Sequence, residues 1–516
     1  MKSGMFGPGV KRLMRASLMS QHLLPLLLLL SAWQAKAFVR FPLPSVSCDA
    51  LSRSAVGVYR ATAQCAAAGQ KTVLVAEEWD GFGEEDHDRF LEKFWQKKPL
   101  LIRQAVRGFE SPLTKDELAE LSCCPDVESR VVTGGKYVHN AGKDWKVKHG
   151  PFAKKICLCI FSGLLGETHW TLLVNEVNRH VPEVSDLLMK FQFIPSWRVD
   201  DVMVSYAPKG GSVGPHVDNY DVFLLQGAGR RRWSIEGTLT SGEEEEARLV
   251  RDIDLRVLAD FEEAQGWVLE PGDALYLPPR IAHYGVSQDE ECMTYSVGFR
   301  APSVRDLVTF FGDHVGSTAI KADAFFQDPN LKRQQSRGLI SREAVSSVKG
   351  LIRDALLASL DDEVAFDRWF GAQVTSRSRR DHMGYPMPMD DEEGLSFGYQ
   401  LPEDVTSAVR RAFHKEEASG RQAGKGEGLG PFVYHAEGLT FAYVEHEGPQ
   451  RGATLFVDGT EFPLPEEMGF AAALVCDSPR LSPRELGPAL EGDQGKGVQT
   501  LLHTLLKEGY LYPADD

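Results

Sequence analysis

Between Asp200 and Arg300 the sequence is cut into short apolar runs by turn signals: Gly214-Pro215, Asn219-Tyr220, Gly227-Ala228-Gly229, Pro271-Gly272 and Pro278-Pro279. Short strands punctuated in this way predict a β-sandwich or barrel. Upstream, "FLEKFWQKKPLLIRQ" (Phe90 to Gln104) reads as an amphipathic helix, a turn at Lys98-Pro99 and an apolar strand from Leu100 to Ile102. Downstream, from Pro302 to about Phe370, the pattern turns helical. Ser341 can cap a helix that places Val345, Val348, Ile352 and Leu356 on one face, and a second helix holds Val364, Phe366, Trp369 and Phe370. The fold class is therefore α+β, and 516 residues suffice for about two to four domains.

After a linker-like stretch from Ser376 to Gly394, a terminal unit shows strand alternation in "LTFAYVE" and "ATLFVDGTEFPL", with Asp458-Gly459 as a hairpin turn. Ser482, Pro483 and Glu485 stand at the N-cap, first and third positions of a helix, and a last helix over Val498–Glu508 stops at Gly509. Helices with a two-stranded wing suggest a winged-helix-like unit. From Ser376 onward there are 13 Lys and Arg against 24 Asp and Glu, a net charge of −11. A phosphate-binding surface needs the opposite sign, so a protein contact is expected here and no direct nucleic-acid binding. The whole chain, at −16, agrees.

The N-terminus reads as targeting sequence. Lys11, Arg12 and Arg15 precede "LLPLLLLLSAW", and Ala35-Lys36-Ala37 offers a cleavage site, so residues 1–37 form a signal peptide and the mature protein has no membrane span. Residues 38–72 are basic, rich in Ser and Ala and contain one acid, Asp49, which is transit-peptide composition. The pair resembles the two-part presequence of algae with complex plastids and implies the plastid stroma; plain secretion is the alternative. The eight cysteines form no dense framework and are expected to be reduced thiols, which suits a stroma.

The chemistry lies in the barrel. "GPHVDNYD" places His216 and Asp218 two apart beside a Gly-Pro turn, and "LPPRIAHYGV" supplies His283, 65 positions after Asp218. H-x-D alone is more often a polar turn than a metal site. A sheet that folds back can bring His283 beside the pair, and two imidazoles with one carboxylate form a facial triad. Such a triad leaves three positions of an octahedral Fe(II) open, for a chelating keto acid and for O2, whereas zinc prefers tetrahedral closure. Within Arg230-Arg231-Arg232, alternation sends Arg231 to the face of Trp233 and into the barrel, where a guanidinium can hold a carboxylate through two hydrogen bonds. A solvated strand edge is the alternative reading of that run, and Trp233 on the same face favours the inward one.

Taken together, "WRVDDVMVSYAPKGGSVGPHVDNYDVFLLQGAGRRRWSI", "EPGDALYLPPRIAHYGVS" and "YSVGFRAPSVRDLV" resemble the Jumonji-C (cupin-like) ribosomal oxygenases, and most of all the bacterial branch that hydroxylates an arginine of large-subunit ribosomal protein sixteen. The likeness runs from Phe90 to Tyr510. It implies a double-stranded β-helix over 73–301, a helical dimerisation region over 302–375 and a winged-helix-like unit over 376–516. It further implies Fe(II) on His216, Asp218 and His283, 2-oxoglutarate anchored by Arg231 with Ser296 in its pocket, O2 as co-reactant, a ribosomal protein as substrate and a homodimer. Asp200 and Asp201 could hold a cationic substrate side chain or cap structure. The sequence departs from the family pattern at an insertion around "KKICLCIFSG" and by one extra residue after His283. Within the class the alternatives are a ribosomal histidyl hydroxylase or a histone demethylase. Outside it they are a non-oxidative metal cupin, a binding barrel or a winged-helix regulator.

Overall fold

The computed structural model describes residues 73–134, 145–152, 165–321, 323–334, 336–376, 432–447, 451–491 and 494–514. The presequence over 1–72, the insertion around 154–163 and the linker from 377 to 394 lie outside these residues.

The strands up to residue 299 are β1 (Glu77–Asp80), β2 (Leu100–Arg103), β3 (Ser129–Thr133), β4 (Lys146–His149), β5 (Trp170–Val174), β6 (Val199–Ala207), β7 (His216–Val217), β8 (Asp221–Ala228), β9 (Arg231–Leu239), β10 (Gln265–Leu269), β11 (Ala274–Leu277), β12 (Ile281–Ser287) and β13 (Cys292–Phe299). They form a nine-stranded sheet in the order β1-β2-β11-β8-β13-β6-β5-β3-β4 and a four-stranded sheet in the order β10-β9-β12-β7. The two sheets remain separate ladders, so the barrel is two-sheeted and not closed. The run of short strands predicts a sandwich or barrel, and this is the cupin-like form of it that the resemblance implies.

Alternation sorts the side chains into two cores. On β8, Val222 and Leu224 face the inner core with Leu101, Trp233, Ile235 and Leu275, while Phe223 and Leu225 face an outer one. The outer core is aromatic. Phe90 and Phe94, at the helix His87–Lys93 and just beyond it, are fully buried there with Phe223 and Phe299. Phe90 meets Tyr276 edge to face, with ring centroids 4.8 Å apart. Truncating Phe90 to Ala would cost about 3–5 kcal/mol by cavity formation. This layer fixes the back of the large sheet, so its front can carry polar groups.

Two features run against a plain reading of the sequence. The acidic run Glu243 to Glu246, which as bare charge predicts a solvated loop, is part of the helix Gly242–Arg248, capped by Ser241. Its Glu245 is buried and ion-paired with Arg280 at 2.7 Å and Arg256 at 2.9 Å. Sequence charge alone cannot reveal cations supplied from 11 and 35 positions away. Secondly, Cys124, Cys292 and Cys476 are free thiols as expected, but Cys123 is disulfide-bonded. A bridge depends on two Cβ atoms meeting in space, which spacing along the chain does not report.

Beyond the barrel come the helices Val304–His314, Arg342–Leu360 and Glu363–Thr375. Ser341 caps the second by accepting from the Ala344 amide. Leu356 turns inward onto a cluster of Phe311, Val315 and Trp369. Val348 and Ile352 instead remain 43% and 57% exposed, with Leu339 and Ile340 exposed nearby.

The terminal unit has strands β14 (Phe432–His435), β15 (Phe441–His446), β16 (Gly452–Val457), β17 (Thr460–Pro465), β18 (Arg480–Leu481) and β19 (Leu511–Ala514), in the three-stranded sheets β18-β14-β19 and β15-β16-β17. Val457 pairs with Thr460, so Asp458 and Gly459 form the two-residue hairpin turn with both φ values positive, 50° and 83°. The helices Gly469–Cys476, Pro483–Ala489 and Gly495–Lys507 cover the sheets. Ser482 and Glu485 make the expected capping box. Among the described residues no helix is long and apolar enough to cross a membrane.

Candidate metal centre

β7 and β12 pair antiparallel, with His216 directly opposite His283. The turn after β7 returns Asp218 to the same side. The ligand atoms of His216, Asp218 and His283 all lie within 4.8 Å of one another. His283 Nε2 is 3.5 Å and His216 Nε2 4.0 Å from the Asp218 carboxylate, and the imidazole centroids are 4.2 Å apart. Three donors that close and that convergent can share one metal ion.

The backbone fixes both tautomers. His216 Nδ1 is 2.9 Å from the Gly214 carbonyl and His283 Nδ1 is 3.0 Å from the Ile281 carbonyl. A carbonyl can only accept, so each Nδ1 carries the proton and each Nε2 presents its lone pair to the centre. Gly214 has φ +85°, and a Cβ there would stand 2.7 Å from Val257 and 3.2 Å from Trp145. Glycine is therefore required at the residue that orients His216. Burial pushes His283 down to about 4, and the neighbouring His216 adds to that while Asp218 opposes it. At neutral pH His283 is thus uncharged, as a metal ligand would need to be. The next carboxylate, Asp221, belongs elsewhere: it is buried and accepts from Tyr276 at 2.7 Å and Gln96 at 2.9 Å, on the outer face of β8.

Arg231 begins β9, paired with Ser287 on β12 and Leu269 on β10. It is 3% exposed, and its Nε and one terminal nitrogen have no hydrogen-bond partner. Its guanidinium lies 5.7 Å from the ring of Trp233, which itself approaches His283 at 5.9 Å. The neighbours of Arg231 face out as alternation requires: Arg230 pairs with Asp289 at 2.9 Å and Arg232 with Glu263. A buried guanidinium with free donors is costly unless an anion completes it. The unfilled valence of Arg231 and the converging lone pairs of the triad therefore suit a chelating keto acid whose far carboxylate reaches β9. Ser296, on β13 between Met203 and Leu224, lies on the inner face of the large sheet and is half-buried.

Two features of the centre were not foreseen. Arg280, at φ +73°, donates its backbone N–H to the Asp218 carbonyl at 2.8 Å and its guanidinium to Asn219 at 2.6 Å and to the buried Glu245. It thereby clamps the turn that carries Asp218; the "PPR" of "LPPRIAH" was the available signal. Tyr220 stands at the rim, 36% exposed, with its hydroxyl held well above the usual phenol range, first by Asp218, then by burial and by Asp201 and Asp200. Asp201 accepts from the Glu176 amide at 2.9 Å and Asp200 pairs with Arg300 at 3.1 Å, so both have the capping roles considered for them. Even so, they make the mouth of the centre acidic.

Comparison with known proteins agrees with this geometry. Residues 186–307 match the family model described as "JmjC domain". The chain is 36% identical over 292 residues to the ribosomal protein uL16 3-hydroxylase of Escherichia coli, spanning 57% of this chain and 72% of that protein. It is 34% identical over 304 residues to a probable ribosomal oxygenase of Haemophilus influenzae, spanning 56% and 68%. The structure of YcfD, a ribosomal oxygenase from E. coli in complex with cobalt and 2-oxoglutarate, superposes with a TM-score of 0.59 at 27% identity, covering 83% of this chain and 97% of that one.

Proposed function

The chain belongs to the Jumonji-C ribosomal oxygenases, and from that premise we propose that it is an Fe(II)- and 2-oxoglutarate-dependent dioxygenase that hydroxylates an arginine of large-subunit ribosomal protein sixteen in plastid ribosomes. The observation that carries the enzymatic reading is the buried, partly unpartnered Arg231 standing behind the convergent His216, Asp218 and His283. With Fe(II) bound, the centre supplies oxidative decarboxylation: 2-oxoglutarate, O2 and a C–H bond become succinate, CO2 and a C–OH.

The residues contribute position. His216 and His283 offer Nε2 because their Nδ1 protons are held by backbone carbonyls. Arg280 keeps Asp218 aimed at the same point. Arg231, with two unpartnered nitrogens, would hold the distal carboxylate of the cosubstrate and so position it beside the triad. Ser296 lines the same inner face. The acidic rim of Asp200 and Asp201 beside Tyr220 suits a cationic side chain, which favours arginine over a neutral histidine.

Val348 and Ile352 are covered by a second copy in a homodimer. The winged-helix-like unit, with its −11 charge, contacts protein and not nucleic acid. The stromal location rests on the presequence and on the bacterial type of the enzyme, because the disulfide at Cys123 removes the argument from reduced thiols. A fluorescent fusion of residues 1–72 tests location: stromal signal is expected, and accumulation in the secretory pathway overturns it. Mass spectrometry of plastid ribosomal proteins tests the substrate. One added oxygen on an arginine of protein sixteen is expected; an unmodified protein beside active enzyme refutes the assignment.

A further inference from the structure

A groove of about 460 Å³ lies between the barrel and the terminal unit, walled by residues from 178 to 200 on one side and from 435 to 443 and 476 to 479 on the other. Four carboxylates line it, Asp186, Asp200, Glu437 and Asp477, and no lysine or arginine does. Asp200 is held by Arg300 and Glu437 by Tyr512. Asp186 and Asp477 are exposed at the groove; neither carboxylate makes a hydrogen bond or close ion pair with a described residue, although the charge of Arg480 acts on Asp186.

A second feature is independent of charge. Asn178 lines the groove and is only 3% exposed. Its Oδ1 accepts from the Val202 amide at 2.8 Å, which fixes the side-chain plane. That leaves its NH2 on the groove side with no hydrogen-bond partner among the described residues. A buried amide donor held open in a trough calls for an acceptor such as a peptide carbonyl. Asp200 lines the groove on one side of β6, and alternation puts Asp201 and Met203 on the opposite side, so β6 is a wall common to the groove and the barrel.

We propose that this groove docks an extended, basic segment of the protein substrate, flanking the residue presented to the metal. The proposal rests on the reading of the chain as a protein hydroxylase and adds where the substrate's flank binds. Asn178 donates to the backbone of the segment, and cationic side chains meet Asp186 and Asp477. The sign of the groove excludes a nucleic-acid strand. A groove that bridges two units also gives the terminal unit a part in substrate selection.

The test is binding of a fluorescent alternating Arg-Gly peptide to the full-length, metal-free protein, read by anisotropy. Asp186→Asn with Asp477→Asn should weaken binding about tenfold, as expected for two partly screened charge pairs. Glu466→Gln with Glu467→Gln, on the same unit outside the groove, should leave it unchanged. Peptide should also slow amide hydrogen exchange over residues 435–443. Equal losses in both pairs, unchanged affinity in the groove pair, protection confined to the neighbourhood of Tyr220, or no binding because the chain's own residues 377–431 fill the groove would each overturn the proposal. His216→Ala should bind peptide like the unaltered protein. Peptide binding without hydroxylation of any protein therefore defeats the functional reading alone, and hydroxylation with an inert groove defeats this one alone.

Discussion

Replacing Arg231 by Met should move two quantities in opposite directions. Methionine keeps the bulk of the side chain beside Trp233 but removes a guanidinium that is 3% exposed and has two unpartnered nitrogens. Without cosubstrate, an unsatisfied buried polar group costs about 1–3 kcal/mol, so Arg231→Met should stabilise the ligand-free protein by roughly that amount. Melting should then rise by about 2–4 °C per kcal/mol for a unit of this size. With cosubstrate, the variant loses a charge-assisted contact of roughly 1.5–3 kcal/mol, and its apparent affinity for 2-oxoglutarate should fall by about 10- to 150-fold. Thermal melting with and without 2-oxoglutarate reads both effects on one sample. Arg230→Met is the control: its pair with Asp289 is 53% and 31% exposed, and such pairs are worth about 0.2–1 kcal/mol. Equal effects at Arg230 and Arg231, or a ligand-free Arg231→Met protein less stable than its parent, would refute the account of that pocket.

Other outcomes follow from the same structure. Arg280→Met should lower Co(II) affinity by about tenfold through the loosened Asp218 turn, measured by calorimetry, while sparing peptide binding to the interdomain groove. Ile352→Asp should convert a dimer to a monomer in sedimentation; a parent chain already monomeric at micromolar concentration would defeat the dimer and leave the centre intact. Burial holds His435 down to about 4, below its unfolded value near 6.5, so its contribution is fully present above about pH 6.5 and is lost as pH falls toward 4. Denaturant titrations should show on the order of 2–3 kcal/mol less acid sensitivity in His435→Gln than in the parent, and identical pH profiles would contradict the assignment.

The grouping of His216, Asp218 and His283 was legible because its determinants are local. Gly-Pro and double-proline turns set where β7 and β12 begin, and period-two alternation alone sends Arg231 inward and Arg230 and Arg232 outward. The capping of Ser341 and Ser482 and the Asp458-Gly459 turn were equally local. What the sequence hid was contact between distant segments. Glu245 looks like one of four solvated acids until Arg280 arrives from 35 positions away. Cys123 gives no sign of its bridge, and Asn178 is unremarkable until β6 takes one end of its amide. The helix Arg342–Leu360 reads as one apolar face but divides in space, with Leu356 packed beneath and Val348 and Ile352 left outside.

The central claim is that His216, Asp218 and His283 together run an iron- and 2-oxoglutarate-dependent hydroxylation of a ribosomal protein. Its most direct test incubates the purified chain with Fe(II), 2-oxoglutarate, O2 and bacterial-type protein sixteen, and counts succinate formed against oxygen added to the protein. The account predicts one oxygen on an arginine per succinate, and neither product from a folded His283→Ala variant. Hydroxylation that persists in His283→Ala, or that proceeds without 2-oxoglutarate, would contradict it.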